Sequence, residues 1–187
     1  MKGELGHDPA LKPYKHDLPK ARELLRRAGY AKGLKLRAVV KAQGERTMQV
    51  ISSQLKRAGI EVEQVLTTDA TVIQDIQKGG WDFTFGGCPD PLAHSFFIQF
   101  IFLSSYSPYS ITRSPSFDEK LGKVVSTIDA SEQDLLGREL DRYVHDQALG
   151  LFTYQRIKTH GVRQGVKFVP AVTGMPYFDM TGPDAGP

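Results

Sequence analysis

Apolar residues recur along this chain in two rhythms that take turns. Between Leu18 and Ala28, the residues Ala21, Leu24, Leu25 and Ala28 fall at the i, i+3, i+4, i+7 spacing of one helix face. Lys20, Arg22, Glu23, Arg26 and Arg27 take the other face. Asp17 is suited to cap this helix, Pro19 falls in the first turn where a missing N–H costs nothing, and Gly29 suits the left-handed position that ends it. Leu34 to Val40 then alternates as a strand does, and Thr47 to Ala58 carries Met48, Ile51 and Leu55 at helical spacing before Gly59. Glu61 to Leu66 alternates again, Thr71 to Lys78 reads as a short helix ended by Gly79 and Gly80, and Trp81 to Phe85 reads as a third strand. This β-α-β-α-β order predicts right-handed crossovers and a largely parallel sheet.

The second half is more helical. Pro91 to Phe102 is apolar nearly all round, which predicts a helix buried on several sides. Tyr106 to Pro115 is a polar loop interrupted by proline. Phe117 to Ile128 and Ser131 to Leu149 read as amphipathic helices, the second with Leu135, Leu136, Leu140, Tyr143 and Val144 on one side. Leu151 to Ile157 reads as a last strand, and beyond Gly161 no long periodic segment remains. No internal repeat or low-complexity tract is present.

Composition adds limits rather than direction. The 187 residues are 40% hydrophobic and 24% charged, the balance of a soluble globular chain of one domain. The longest apolar stretch, Phe96 to Leu103, is broken by Gln99 and is far short of the roughly 20 residues a bilayer requires. The opening MKGELGHDPA has no apolar core of a secretory signal. A net charge of +3, with no aromatic residues interleaved among the basic ones, speaks against nucleic acid as a partner. Cys88 is the only cysteine, so there is no internal disulfide and no cysteine-based zinc site. The histidines lack the short-spaced pairing of a metal site, and no glycine-rich phosphate motif occurs. No cofactor is expected.

Candidate chemistry gathers after the third strand. In open parallel sheets ligands bind outside the carboxyl ends of the strands, where glycine lets a ligand approach the backbone. Gly86, Gly87, Cys88 and Asp90 stand there, with His94 beyond them. Asp90 precedes Pro91 and equally suits a helix cap, which is the favoured reading. Cys88, Asp90 and His94 together could suggest a nucleophilic site, but no oxyanion donors can be named, and the chain reads as a non-enzyme. Trp81 reads as core.

Several phrases carry a family resemblance in order. DPALKPYKHDLPKARELLRRAGY, SSQLKRAGIEVE, GGWDFTFGGCPDP, SFDEKLGKV with IDASEQDLLGRELDRYVHDQALGLFTYQ, and finally GVKFVP resemble the C-terminal lobe of bacterial extracellular solute-binding proteins of family 5, the peptide, nickel and glutathione receptors of ABC importers. The resemblance implies an α/β lobe of the type II periplasmic-binding-protein-like fold, a mixed, mostly parallel sheet flanked by helices. It implies that residues 8–160 form that lobe and that 161–187 cross back toward a first lobe encoded upstream, together with the signal for export to the periplasm. Residues 161–187 are then expected to be poorly ordered, packed on their own lobe or exchanged with a second copy.

The implied function is capture of a small solute, peptide or peptide-like, between two lobes, for delivery to an ABC permease in the membrane. The glycine loop would face the cleft, and Tyr109 and Ser110 lie in a stretch that resembles a second cleft-facing segment. Peptide-binding relatives carry an acidic residue early in the glycine loop, for the peptide's ammonium group. This loop is shorter and lacks it, since Asp90 matches the later Asp-Pro of the pattern. A ligand-sensing domain of a transcriptional regulator is the alternative, and a stand-alone α/β enzyme using Cys88 a more distant one.

Overall fold

In the computed structural model of the chain, which describes residues 4–88, 94–154, 157, 159–171 and 178–183, the two rhythms become six helices and a parallel sheet. Contacts along the chain group it into two compact units. One comprises residues 10–87 and 99–119, the other residues 1–9, 88–98 and 120–187.

The first unit begins with α1, Leu18–Arg27, whose N-cap Asp17 accepts the Lys20 backbone N–H at 2.8 Å, and after which Gly29 takes φ +91°. Then follow β1 (Leu34–Lys41), α2 (Glu45–Ala58), β2 (Ile60–Thr67), α3 (Val72–Gln77) and β3 (Phe83–Phe85). The strands are all parallel in the order β2-β1-β3, with Leu34 opposite Ile60 and Ala38 opposite Phe83. Alternation along β1 splits its side chains between two faces. Ala38 and Val40 bury against Met48 of α2, with Ile51, Val62, Phe83 and Phe85 around them. Val39 turns the other way and buries against Val72 and Ile76 of α3, with Trp81 and Ile111 beside them. Trp81 is half-buried and packs against this core, in keeping with its sequence position, and its Nε1–H donates to the Asp75 carbonyl at 2.6 Å.

Because α3 is only six residues long, it covers only part of its face. Elsewhere β1 and β2 carry ion pairs directly across the ladder, Lys35 with Glu61 and Arg37 with Glu63. Arg37 also lies 4.7 Å from the Trp81 ring centre, and its backbone exchanges hydrogen bonds with Asp82 at 2.7 and 2.9 Å. That clasp aligns the three-residue β3, shorter than the expected Trp81 to Phe85.

The apolar stripe of α1 differs from expectation. No residue of this helix is buried, and Leu24 is 50% exposed. The helix meets α2 chiefly through Arg22, whose Nε and Nη2 donate to the Arg57 carbonyl at 3.2 and 2.7 Å.

Two helices run from one unit into the other. These are α4, Ser95–Leu103, and α5, Pro115–Ser126; the second unit then adds α6, Ala130–Asp146. Phe96, Gln99 and Leu103 of α4 are buried while Phe100 is exposed, in keeping with the expected burial on several sides; of the expected Pro91 to Phe102 helix, residues 91–93 lie outside the described ones. Ser114 caps α5 by accepting the Phe117 N–H, and Asp129 caps α6 by accepting the Glu132 N–H at 2.9 Å.

Within the second unit, the segment Leu5 to Asp8 is tied to α6. The Gly6 N–H donates to Asp134 Oδ1 at 2.9 Å, the Asp8 N–H to Asp141 Oδ2 at 3.1 Å, and Arg142 Nη2 to Asp8 Oδ2 at 2.7 Å.

The expected strand from Leu151 to Ile157 is a correction. Leu151–Tyr154 and Ile157 are not in a strand, and Gln155 and Arg156 lie outside the described residues. Strand-forming residue types supply no partner, and among the described residues no neighbouring strand offers this segment a ladder. Of the tail from Gly161, Val166–Lys167 (β4) pairs antiparallel with Gly182–Pro183 (β5) and is exposed. No described helix is long and apolar enough to cross a membrane.

Candidate functional site

Parallel pairing brings the ends of β1, β2 and β3 to one edge of the sheet, at Lys41, Thr67 and Phe85. Charged and polar groups there are already committed to one another. Asp69 accepts from Lys41 Nζ at 2.8 Å and from Gln43 Nε2 at 3.0 Å, and these bonds, that of Lys41 foremost, hold its carboxyl below the usual range. Thr67 Oγ1 donates to Asp75 Oδ2 at 2.6 Å, and Asp75 is likewise held low, first by Lys78 and then by Thr67. These carboxylates are therefore ionised and engaged.

The end of β3 is different. Gly86 and Gly87 follow Phe85, and both are exposed. A Cβ at Gly86 would come 2.5 Å from Phe102 Cε1, so the ring of Phe102 takes the space that a side chain would need. At Gly87 no atom of the described residues lies within 4 Å of that position. Of the two, Gly87 is the place where another molecule can approach the backbone.

Cys88 is exposed, and Asp90 lies outside the described residues, so its cap is not seen. His94 precedes α4 instead of lying in it, is half-buried, bridges to Leu5 and packs its ring 4.9 Å from that of Phe96, the ordinary role for a lone histidine. Tyr109 is 39% exposed. Ser110 is buried and its Oγ accepts the Thr112 N–H at 3.0 Å, so its hydroxyl closes a turn instead of facing solvent.

Ser107, Pro108 and Ser110 share a shallow hollow with Ile76 and Gln77, the last turn of α3. The Ser107 hydroxyl also donates to the Ile101 carbonyl at 2.6 Å, which ties this loop to the end of α4.

A second open hollow, of about 490 Å³, is lined by Ser105, Tyr106, Arg113, Pro115, Asp118 and Glu119. Burial pushes Asp118 upward, but bonds from the Ser105 side chain and backbone and from Ser104, with the charge of Arg113, outweigh it and leave the carboxyl low. Sequence reasoning missed Arg113 and Asp118, since SPSFDEKL gives only the signal of a helix start. Among the described residues no group of three His, Cys, Asp or Glu side chains could hold a metal.

Comparison with known proteins follows the same lines. The sequence model described as bacterial extracellular solute-binding proteins, family 5 Middle, matches residues 2–108. The chain is similar in structure to the periplasmic binding protein DppA from Helicobacter pylori in complex with the peptide STSA, at TM-score 0.66 and 24% identity over 78% of this chain and 30% of that one. It is similar to AgaA from A. tumefaciens R10 in complex with agropinic acid, at TM-score 0.67 and 22% identity over 80% and 32%. It is also similar to HbpA2 from Haemophilus parasuis, at TM-score 0.72 and 17% identity over 96% and 38%. At these identities the likeness establishes the fold, a largely parallel α/β lobe of the type II periplasmic-binding kind. The chain spans about a third of the length of these structures. No curated protein matches it.

Proposed function

The chain belongs to the bacterial extracellular solute-binding proteins of family 5, and from that premise we propose that its three-stranded unit forms one wall of a solute-binding cleft. The observation that carries this reading is the open backbone at Gly87, at the carboxyl edge of a parallel sheet whose other charges are already paired. The solute is a peptide or peptide-like molecule. It would lie along Gly86 and Gly87, reading the backbone more than any side chain. A second lobe of the same protein would close over it, excluding water and strengthening each hydrogen bond, and the closed form would be presented to an ABC permease outside the cytoplasm.

The missing early carboxylate shapes the expected specificity. Without it, a ligand's free ammonium group has no dedicated partner in this loop, so an amine is not required for binding. One wall alone also buries only part of the ligand, which predicts weak affinity for this chain by itself.

Calorimetry of the 187-residue chain with trialanine and N-acetyl-trialanine tests the reading. Weak binding of both to a similar degree, abolished by Gly87→Trp without loss of fold, is expected. Binding of trialanine alone, or equal binding by the Gly87→Trp variant, would overturn it.

A further inference from the structure

Charge is not spread evenly over this chain. Residues 12–32 hold seven lysines and arginines against two acids, while the whole chain nets only +3, so the remainder is net negative by two. The fold concentrates this charge further. Helix α1 ends at Arg27 before β1, and α2 ends at Ala58 just before β2, so both carboxyl ends stand at the edge where the strands begin. The two junctions are bonded together, the Leu34 N–H donating to the Gly59 carbonyl at 3.0 Å and Arg22 to the Arg57 carbonyl. Arg26, Arg27, Lys32, Lys56 and Arg57 are therefore gathered, all exposed, on the edge opposite Gly87.

Part of this has a plain structural account. Cations in the last turn of a helix complement its dipole, and Arg27 lies 3.9 Å from Glu23. That account does not reach Lys32, which is in neither helix, or the apolar side chains at the same place. Leu24 is 50% exposed and Tyr30 46% exposed, beside a helix of which no residue is buried. Among the described residues the side chains of Arg26, Lys32, Lys56 and Arg57 form no ion pair. An amphipathic helix with a basic face and uncovered aliphatic and aromatic groups is the pattern that lies in a membrane interface, where cations meet phosphates and apolar side chains enter the headgroup layer.

We propose that this edge docks on an anionic phospholipid surface, through Arg26, Arg27, Lys32, Lys56 and Arg57 with Leu24 and Tyr30 between them. The surface lies away from Gly87, so docking leaves the glycine edge clear. The proposal rests on charge and exposure and holds whether or not the glycine edge binds a peptide.

The test is co-sedimentation of the 187-residue chain with phosphatidylcholine vesicles and with vesicles in which about a third of the lipid is phosphatidylglycerol. Binding to the anionic vesicles at least about tenfold stronger than to the neutral ones is expected, lost in about 0.5 M salt as the charges are screened. The R26E/R27E double variant, with an unchanged circular dichroism spectrum, should weaken it about tenfold or more. Lys123→Glu, an exposed charge reversal on α5, should leave it unchanged, and Leu24→Ser should weaken it at fixed salt. Equal binding to both vesicle types, full retention in R26E/R27E, an equal loss in Lys123→Glu, or tighter binding to duplex DNA than to anionic vesicles would each overturn the proposal.

Discussion

The Phe102 ring stands so close over Gly86 that a Cβ there would come 2.5 Å from Phe102 Cε1, while a Cβ on the neighbouring, exposed Gly87 would meet none of the described residues within 4 Å. Two adjacent glycines that look equivalent in the sequence thus have separate jobs, one in packing and one at the surface. Gly86→Ala is expected to lower stability by about 1–2 kcal/mol, because the half-buried ring must move off its position. Gly87→Ala should be within about 0.5 kcal/mol of the parent. Urea unfolding of both variants checks this, and Phe102→Leu should restore most of the Gly86→Ala loss.

A second close approach joins Gly6 to α6. A Cβ on Gly137 would come 2.6 Å from Gly6 Cα, which is backbone and cannot swing aside, and Gly6 itself is at φ +77°. Gly137→Val should cost about 2 kcal/mol or more and release the Leu5 to Asp8 segment from Asp134 and Asp141. Faster amide exchange at Gly6 and Asp8, with exchange in β1 and β2 unchanged, is the expected signature.

Much of the sheet unit could be read from the chain because its periods were uninterrupted. Asp17, Pro19 and Gly29 bound α1 as their chemistry implies, and Ala38, Val40 and Met48 meet in the core as alternation and helical spacing require. What could not be read depended on partners distant in sequence. Leu151 to Tyr154 are of strand-forming types but are not in a strand, and Leu24 has the right spacing for a core position but is half exposed. The candidate site was legible as a place, the loop after β3. Its details were not, because only the folded chain shows Phe102 filling the space at Gly86, or Ser110 turned inward to bond Thr112.

Met48 tests the packing between α2 and the sheet. It is buried against Ala38 and Val40, and Met48→Ala leaves a cavity against the sheet. A loss of about 2–5 kcal/mol is expected in denaturant unfolding. A loss below about 1 kcal/mol would mean that this core is not packed as described.

Asp118 gives a pH prediction with a definite sign. Its carboxyl is held below the ordinary value of 3.8, despite opposing burial, by Ser105, Ser104 and Arg113. A depressed folded value means that the stabilisation is present above the unfolded value and is lost as pH falls through the lower folded one. Asp118→Asn should thus be less stable than the parent at pH 7, and the gap should narrow as pH is lowered past about 4. Urea midpoints measured from pH 7 to pH 2.5 check the trend, and a gap that widens in acid would contradict it.

The most direct test of the central claim is a two-dimensional ¹⁵N–¹H NMR titration of the chain with trialanine. The account predicts that the amides of Gly86 and Gly87 shift first and most, with those of Lys41 and Thr67 following at the same edge of the sheet. Shifts confined to the Ser105 to Arg113 loop, or no shifts at millimolar peptide, would contradict the assignment of this edge as the solute-binding wall.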